Sequence, residues 1–419
     1  MFRYAAPERA TCAFCLVFKC LAPDWSAPTA VEMSINSVFD NIGEIAESVL
    51  YPHIRLATPA FAATPSPEYD VTSKATYAWA RASPQAIVPP GEGTQEKAMT
   101  WFSATCYFFG RDLYKGLGGS VPIGLIAPSR RSTRIDCWSS DDALADTTCG
   151  GLRPLSMPAS LPAPECTLQS GGESFAVGCL WNGMLHPLLA MRLAGVVWYQ
   201  GESNSEDPAE YACRFPAMIS DWRAKFELPE LTFLYVQLAA FEPDFNRLSP
   251  VYHQDFATIR AAQDAALALP NVRAAIAIDL GDPDAVNPIH PRRKQEVGRR
   301  LALAALDVHY SIGFEHDSGL GVTTRGPTLA SVGLSGYAIF RATLTFDVGS
   351  TAGYLHLAGT AGCVACCATS PIEAMGSDGS WSRESDQRRA LSNHRHTHAR
   401  TLLSGLESKR IESKGMDLA

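Results

Sequence analysis

Two hydrophobic periodicities alternate through the middle of the chain. Short, nearly continuous apolar runs occupy residues 121–127, 195–200, 231–238 and 273–279. Each reads as a strand buried on both faces. Between and after them, residues 209–226, 256–267 and 293–306 carry apolar positions at three- and four-residue steps, the spacing of amphipathic helices. Upstream, Ile35, Val38, Phe39, Ile42, Ile45 and Val49 predict a helix over 34–50, and residues 53–57 a short strand. Phe102, Cys106, Phe109, Leu113 and Leu117 share one face of a helix predicted over 97–117. Strand followed by helix, repeated, implies a mainly parallel sheet covered on both sides. The expected fold class is α/β: a three-layer α/β/α domain.

The pattern also sets provisional boundaries. Residues 1–30 show no readable period and remain an unassigned segment. The α/β domain is expected over 31–310. Residues 342–348 and 353–357 alternate like strands among glycines, so 311–382 is expected to form a small C-terminal β module. The last segment, 383–419, is rich in Arg, His and Ser and is expected to be disordered.

Composition narrows the function classes. With 46% hydrophobic and 19% charged residues, the 419-residue chain has the make-up of a globular protein. Its net charge of −8 argues against nucleic acid as the partner. No apolar run is long enough to predict a membrane span. Arg3 and Arg9 precede an apolar stretch from Thr11 to Leu21, but Lys19 interrupts it and no clear cleavage site follows, so it makes a poor signal peptide. Among the 12 cysteines, Cys12/Cys15 and Cys363/Cys366/Cys367 have zinc-like spacing without matching histidines, so disulfides are the expected use.

The candidate chemistry lies at the ends of the apolar runs. The run through Trp198 and Tyr199 ends in Gln200-Gly201-Glu202-Ser203-Asn204. Glycine there admits close approach of backbone N–H groups, and Gln or Asn amides can donate to a developing oxyanion. The alternative is an ordinary polar turn. Ser203 lacks the closing glycine of a nucleophile elbow. His290, held between Pro288 and Pro291 just before a helix, has the chemistry of a general base. Its bland reading is a loop histidine capping that helix. Asp279, Asp282 and Asp284 share the preceding loop; Asp284 is the expected acid partner for His290, with Glu202 as another candidate.

Three segments together, 180–188, 196–204 and 287–291, resemble the sialate O-acetylesterase family, a branch of the SGNH hydrolases. Tyr211, Cys213, the 215–217 run and the 221–223 run extend the likeness. The resemblance implies a carboxylic ester hydrolase that removes O-acetyl groups from sialic acids or related acetylated sugars. His290 and Asp284 would be catalytic. Gln200, Gly201, Glu202 and Asn204 would form the oxyanion and substrate loop. No metal or organic cofactor is implied, and location in a lysosome or outside the cell is. The family's nucleophile follows a leading strand, in a Gly-Gln-Ser-Asn segment that this chain lacks. Counting back from Glu32, Thr29 falls at the serine position, and the leading strand is expected to be missing. Arg131 or Ser132 stands where the family has an oxyanion glycine, and Arg130 and Arg131 either hold a sialate carboxylate or block the pocket. A catalytically inactive or truncated member that only binds carbohydrate stays open, as does another acyl hydrolase of the same fold.

Overall fold

The computed structural model describes residues 13–19, 38–59, 61–70, 79–88, 102–130, 133–149, 165–168, 173–241, 256–282, 284–285 and 288–312, with short strands between 329 and 418. The chain divides into two units, Met1–Gly321 and Val322–Ala419.

The first unit is built on a seven-stranded sheet. Its strands are β1 (Ala13–Lys19), β2 (Ile54–Ala57), β3 (Ala80–Arg81), β4 (Ile123–Ile126), β5 (Gly195–Tyr199), β6 (Thr232–Gln237) and β7 (Val272–Ile276). They lie in the order β3-β2-β4-β1-β5-β6-β7. All neighbours are parallel except the edge strand β3, which runs antiparallel to β2.

Four helices cover the sheet: α1 (Ala104–Gly116), α2 (Pro208–Lys225), α3 (Phe256–Gln263) and α4 (Lys294–Val308). Side chains of a strand point alternately to opposite faces. Accordingly Val197 of β5 and Leu234 of β6 line a small apolar cavity with Phe109 and Leu113 of α1 and Ala305 of α4. Trp198, Phe233 and Tyr235 point the other way and pack on Phe215 of α2. Trp222 joins that aromatic layer at 5.8 Å from Trp198. Burying each such ring contributes on the order of 2–3 kcal/mol. The polar edges of these rings are satisfied: Trp198 Nε1 donates to Tyr211 Oη and Trp222 Nε1 to the Trp138 carbonyl.

α1 is capped by Ser103, whose hydroxyl accepts from the Cys106 N–H. Residues Ala104–Tyr114 are buried on every side, because α4 packs over the helix while the sheet lies beneath it. Gly298 of α4 makes the close approach possible, since a Cβ there would stand 2.5 Å from Phe108 Cβ. A disulfide between Cys149 and Cys213, 5.5 Å apart at Cα, ties the chain before the hairpin Glu165–Leu168/Glu173–Ala176 to α2.

Two expectations are corrected here. Within the unassigned residues 1–30, 13–19 form the central strand, paired on one side with β4 and on the other with β5. The leading strand expected to be missing is therefore present. The helix expected over 34–50 starts only at Asn41, after a turn in which Asp40 adopts φ 51°, and Ile42 is exposed.

In the second unit, Leu329–Ser335 and Arg341–Phe346 form an antiparallel pair. Within 383–419, for which the sequence predicts no element, short strands occupy Arg410–Glu412 and Met416–Leu418. No described helix is long and apolar enough to cross a membrane.

Candidate active site

In an open parallel sheet, functional loops gather at the carboxyl ends of the strands. Residues 200–204 leave β5 at that end, and the segment carrying His290 runs from β7 to α4 at the same end. β1 also finishes there, with Lys19 in register with Tyr199. The base candidate, the turn and the exit of the central strand thus share one edge of the sheet.

The 200–204 turn is tightly built. Gly201 has φ 150°, and a Cβ on it would press on Leu238 and on Gln263 Nε2 at 3.2 Å. Glu202–Asn204 then form one 3-10 turn. Gln200 is buried, and its Nε2 donates to Asn204 Oδ1 at 2.6 Å and to the Thr133 carbonyl at 3.3 Å. Asn204 Oδ1 also accepts from the Ile135 N–H at 2.9 Å. The Gln200 carbonyl in turn accepts from Gln263 Nε2 at 3.0 Å. Both amide hydrogens of Gln200 are therefore engaged within the protein.

A buried ionic network fixes the neighbouring loop. Arg134 pairs with Asp136 and Asp207 and donates to the Ser203 carbonyl. Arg214 of α2 pairs with Asp136 at 3.1 Å and with Glu210. Burial pushes the Glu210 carboxyl upward, against the pull of Arg214. These residues lock the 133–138 segment onto the turn. Arg130 stacks over the Phe61 ring at 4.1 Å. Arg131, Ser132 and Thr29 lie outside the described residues.

The carboxylate of Glu202 is enclosed rather than presented to solvent. Burial raises its pKa to about 7, opposed in part by the nearby Lys294 ammonium. Lys294 is fully buried, and burial lowers its pKa to about 8. Its Nζ donates to Tyr199 Oη at 3.1 Å.

His290 is buried in its loop. The three aspartates upstream differ in their commitments. Asp282 takes Arg292 in a fork of 2.7 and 2.9 Å and also accepts the Arg292 backbone N–H. Asp279 is gripped the same way by Arg300. Both arginines help hold these carboxyls below their ordinary range, against the opposing effect of burial. Asp284 is exposed and makes no ion pair among the described residues.

The 180–188 segment packs on the 61–70 stretch. Residues Trp181–Leu185 form a π-helical turn. Gly183 lets the Ala62 carbonyl approach where a Cβ would stand 2.2 Å away, and His186 Nδ1 meets the Glu68 carbonyl at 2.6 Å.

Sequence reasoning missed Lys294, Arg134 and Asp136. The available signal was a lysine in the first turn of a helix, where acids are the rule.

The fold matches a carbohydrate acetylesterase from Xanthomonas citri with a TM-score of 0.59, at 24% identity over 88% of this chain and 69% of that one. Residues 179–307, which include the turn and His290, match the carbohydrate esterase, sialic acid-specific acetylesterase family. The chain is 31% identical to the sialate O-acetylesterase of Mus musculus, with 68% of this chain and 56% of the relative aligned. It is 33% identical to that of Homo sapiens, with 68% and 52% aligned. It spans about half the length of these curated relatives.

Proposed function

We propose that this chain is a carboxylic ester hydrolase that removes O-acetyl groups from sialic acids or related acetylated sugars. The observation that carries the reading is the shared sheet edge. There the His290 loop and the 200–204 turn, both inside the acetylesterase match, stand beside the exit of β1.

In this reading a hydroxyl on the chain leaving β1 attacks the acetyl carbonyl, and His290 takes its proton. Thr29 is the candidate in that stretch. Asp284 orients the imidazole. Donors of the 200–204 turn hold the negative charge of the tetrahedral intermediate. His290 returns the proton to the departing sugar hydroxyl. Water, deprotonated by the same imidazole, then releases acetate and restores the enzyme.

The test is acetate release from O-acetylated sialic acid, compared with acetylated xylan, together with fluorophosphonate labelling. The expected result is turnover of the sialate ester and a label mapping to a hydroxyl within residues 20–37. A folded protein that binds sialic acid but releases no acetate and takes no label overturns it in favour of a binding-only protein.

A further inference from the structure

Lys294 places a cation where helix physics disfavours one. It is the first residue of α4, and aligned peptide dipoles make a helix start favourable to anions. It is also among the largest fully buried side chains of the chain. Burying a charge costs several kcal/mol unless a close partner compensates it. Yet among the described residues no carboxylate forms a direct ion pair with it. Its contacts are the Tyr199 hydroxyl at 3.1 Å and the face of the same ring at 4.8 Å. Glu202 and Asp282 act on it only through the field. Glu202 Oε2 is buried and has no hydrogen-bond partner among the described residues.

The placement of these groups is specific. Tyr199 is the last residue of β5, directly before Gln200. Glu202 lies inside the turn, and Lys294 opens the helix that follows the His290 loop. A single side chain therefore joins the start of α4 to the end of β5, the elements that carry the two loops whose relative position would decide catalysis.

We propose that Lys294 is a positioning residue that fixes the His290 loop against the 200–204 turn, through its hydrogen bond to Tyr199 and its attraction for Glu202. The proposal rests on the ester-hydrolase reading for its consequence in turnover, but not for the coupling of the two loops. A lysine kept for stability alone would behave differently. Replacing a buried, poorly compensated cation by an apolar side chain of similar length is often neutral or stabilising. The loss would then appear in geometry, and misplacement by about 1 Å costs on the order of 100-fold in rate.

The test uses the full chain carrying Lys294→Met, Tyr199→Phe or the pair Lys294→Met/Glu202→Gln. Hydrogen–deuterium exchange is read on peptides covering 199–205 and 288–294, and kcat and KM are measured with a chromogenic acetate ester. The expected result for Lys294→Met is faster exchange in both segments together. The melting temperature should be unchanged or higher, kcat lower by about 10- to 100-fold, and KM within about two-fold. Tyr199→Phe should loosen the same two segments to a smaller degree, and it carries the test if Lys294→Met does not fold. Unchanged exchange in both segments, or loosening of one alone, overturns the proposal. So does a fall in melting temperature with kcat intact. If the wild-type chain hydrolyses no acetyl ester, the ester-hydrolase reading fails, and the exchange experiment still decides whether Lys294 couples the loops.

Discussion

Gln200 Nε2 donates to Asn204 Oδ1 across 2.6 Å, so one amide of the turn is spent in holding the other. With its second hydrogen on the Thr133 carbonyl, Gln200 acts as a brace. Of the two amides, the Asn204 nitrogen is then the one that makes no hydrogen bond among the described residues and can serve a developing oxyanion. Asn204→Asp keeps the Oδ1 acceptor for Gln200 and Ile135 while removing that donor. The expected outcome is a fall in kcat of roughly 100- to 1,000-fold, the usual cost of one oxyanion donor. Gln200→Ala should lower the melting temperature as well, because it cuts the brace. Steady-state kinetics with thermal unfolding separates the two. Unchanged turnover in Asn204→Asp would remove Asn204 from the site.

His290→Gln should abolish acetyl-ester turnover, by roughly 10⁶-fold if the base and its nucleophile act as a unit. The aspartates give a sharper contrast. Asp282 and Asp279 are each forked by an arginine, whereas Asp284 is not. Asp284→Asn is expected to reduce kcat by about 10⁴-fold, the cost of leaving an imidazole in the wrong tautomer. Asp282→Asn should instead loosen the loop and lower stability while retaining most of the turnover. The opposite pattern would transfer the orienting role to Asp282.

β5 and β6 were readable in the sequence because both faces are covered, leaving continuous apolar runs. α1, α2 and α4 were readable from their periodicity. β1 was not, although 13–18 is wholly apolar, because such a run ahead of Lys19 reads equally well as a failed leader peptide. Only its parallel neighbours β4 and β5 reveal it as a strand. The turn and His290 were visible as polar groups beside buried segments. The commitments of Asp279 and Asp282 were not, because they depend on where Arg300 and Arg292 fall in three dimensions. Lys294 escaped for the same reason, since its partner Tyr199 lies on a distant strand.

Asp136 offers a test of the scaffold beneath the turn. Its carboxylate is buried and joins Arg134 and Arg214. Asp136→Ala would remove one of the carboxylates that pair with Arg214 and release Arg134 from one of its anchors. Removing one partner of a buried ion pair costs about 3–5 kcal/mol. Chemical denaturation should report a loss of that order. Because Arg134 also holds the Ser203 carbonyl, turnover should fall at temperatures where the variant is still folded. A loss under about 1 kcal/mol, the scale of an exposed pair, would mean that the network is solvated.

The buried Glu202 and Lys294 predict an unusual dependence of stability on pH. Beside burial, a backbone hydrogen bond and the Lys294 ammonium act on Glu202, and the Glu202 and Asp282 carboxylates act on Lys294. Burial raises Glu202 from 4.5 to about 7, so between those values the folded protein holds a proton that the unfolded chain has released. Stability from this group is therefore present below 4.5 and is lost as pH rises towards 7. Burial lowers Lys294 from 10.5 to about 8, so between 8 and 10.5 the unfolded chain holds the extra proton. Stability from this group rises with pH across that upper window. Between about 7 and 8 both groups are charged and buried, and their joint contribution is at its least favourable. Melting temperatures measured from pH 4.5 to 10.5 should show this in differences between variants. Glu202→Gln should lose the lower decline and keep the upper rise, and Lys294→Met should lose the upper rise. If Glu202→Gln follows the wild-type slope below pH 7, Glu202 does not titrate there, and its carboxylate must be stabilised by contacts other than the field of Lys294.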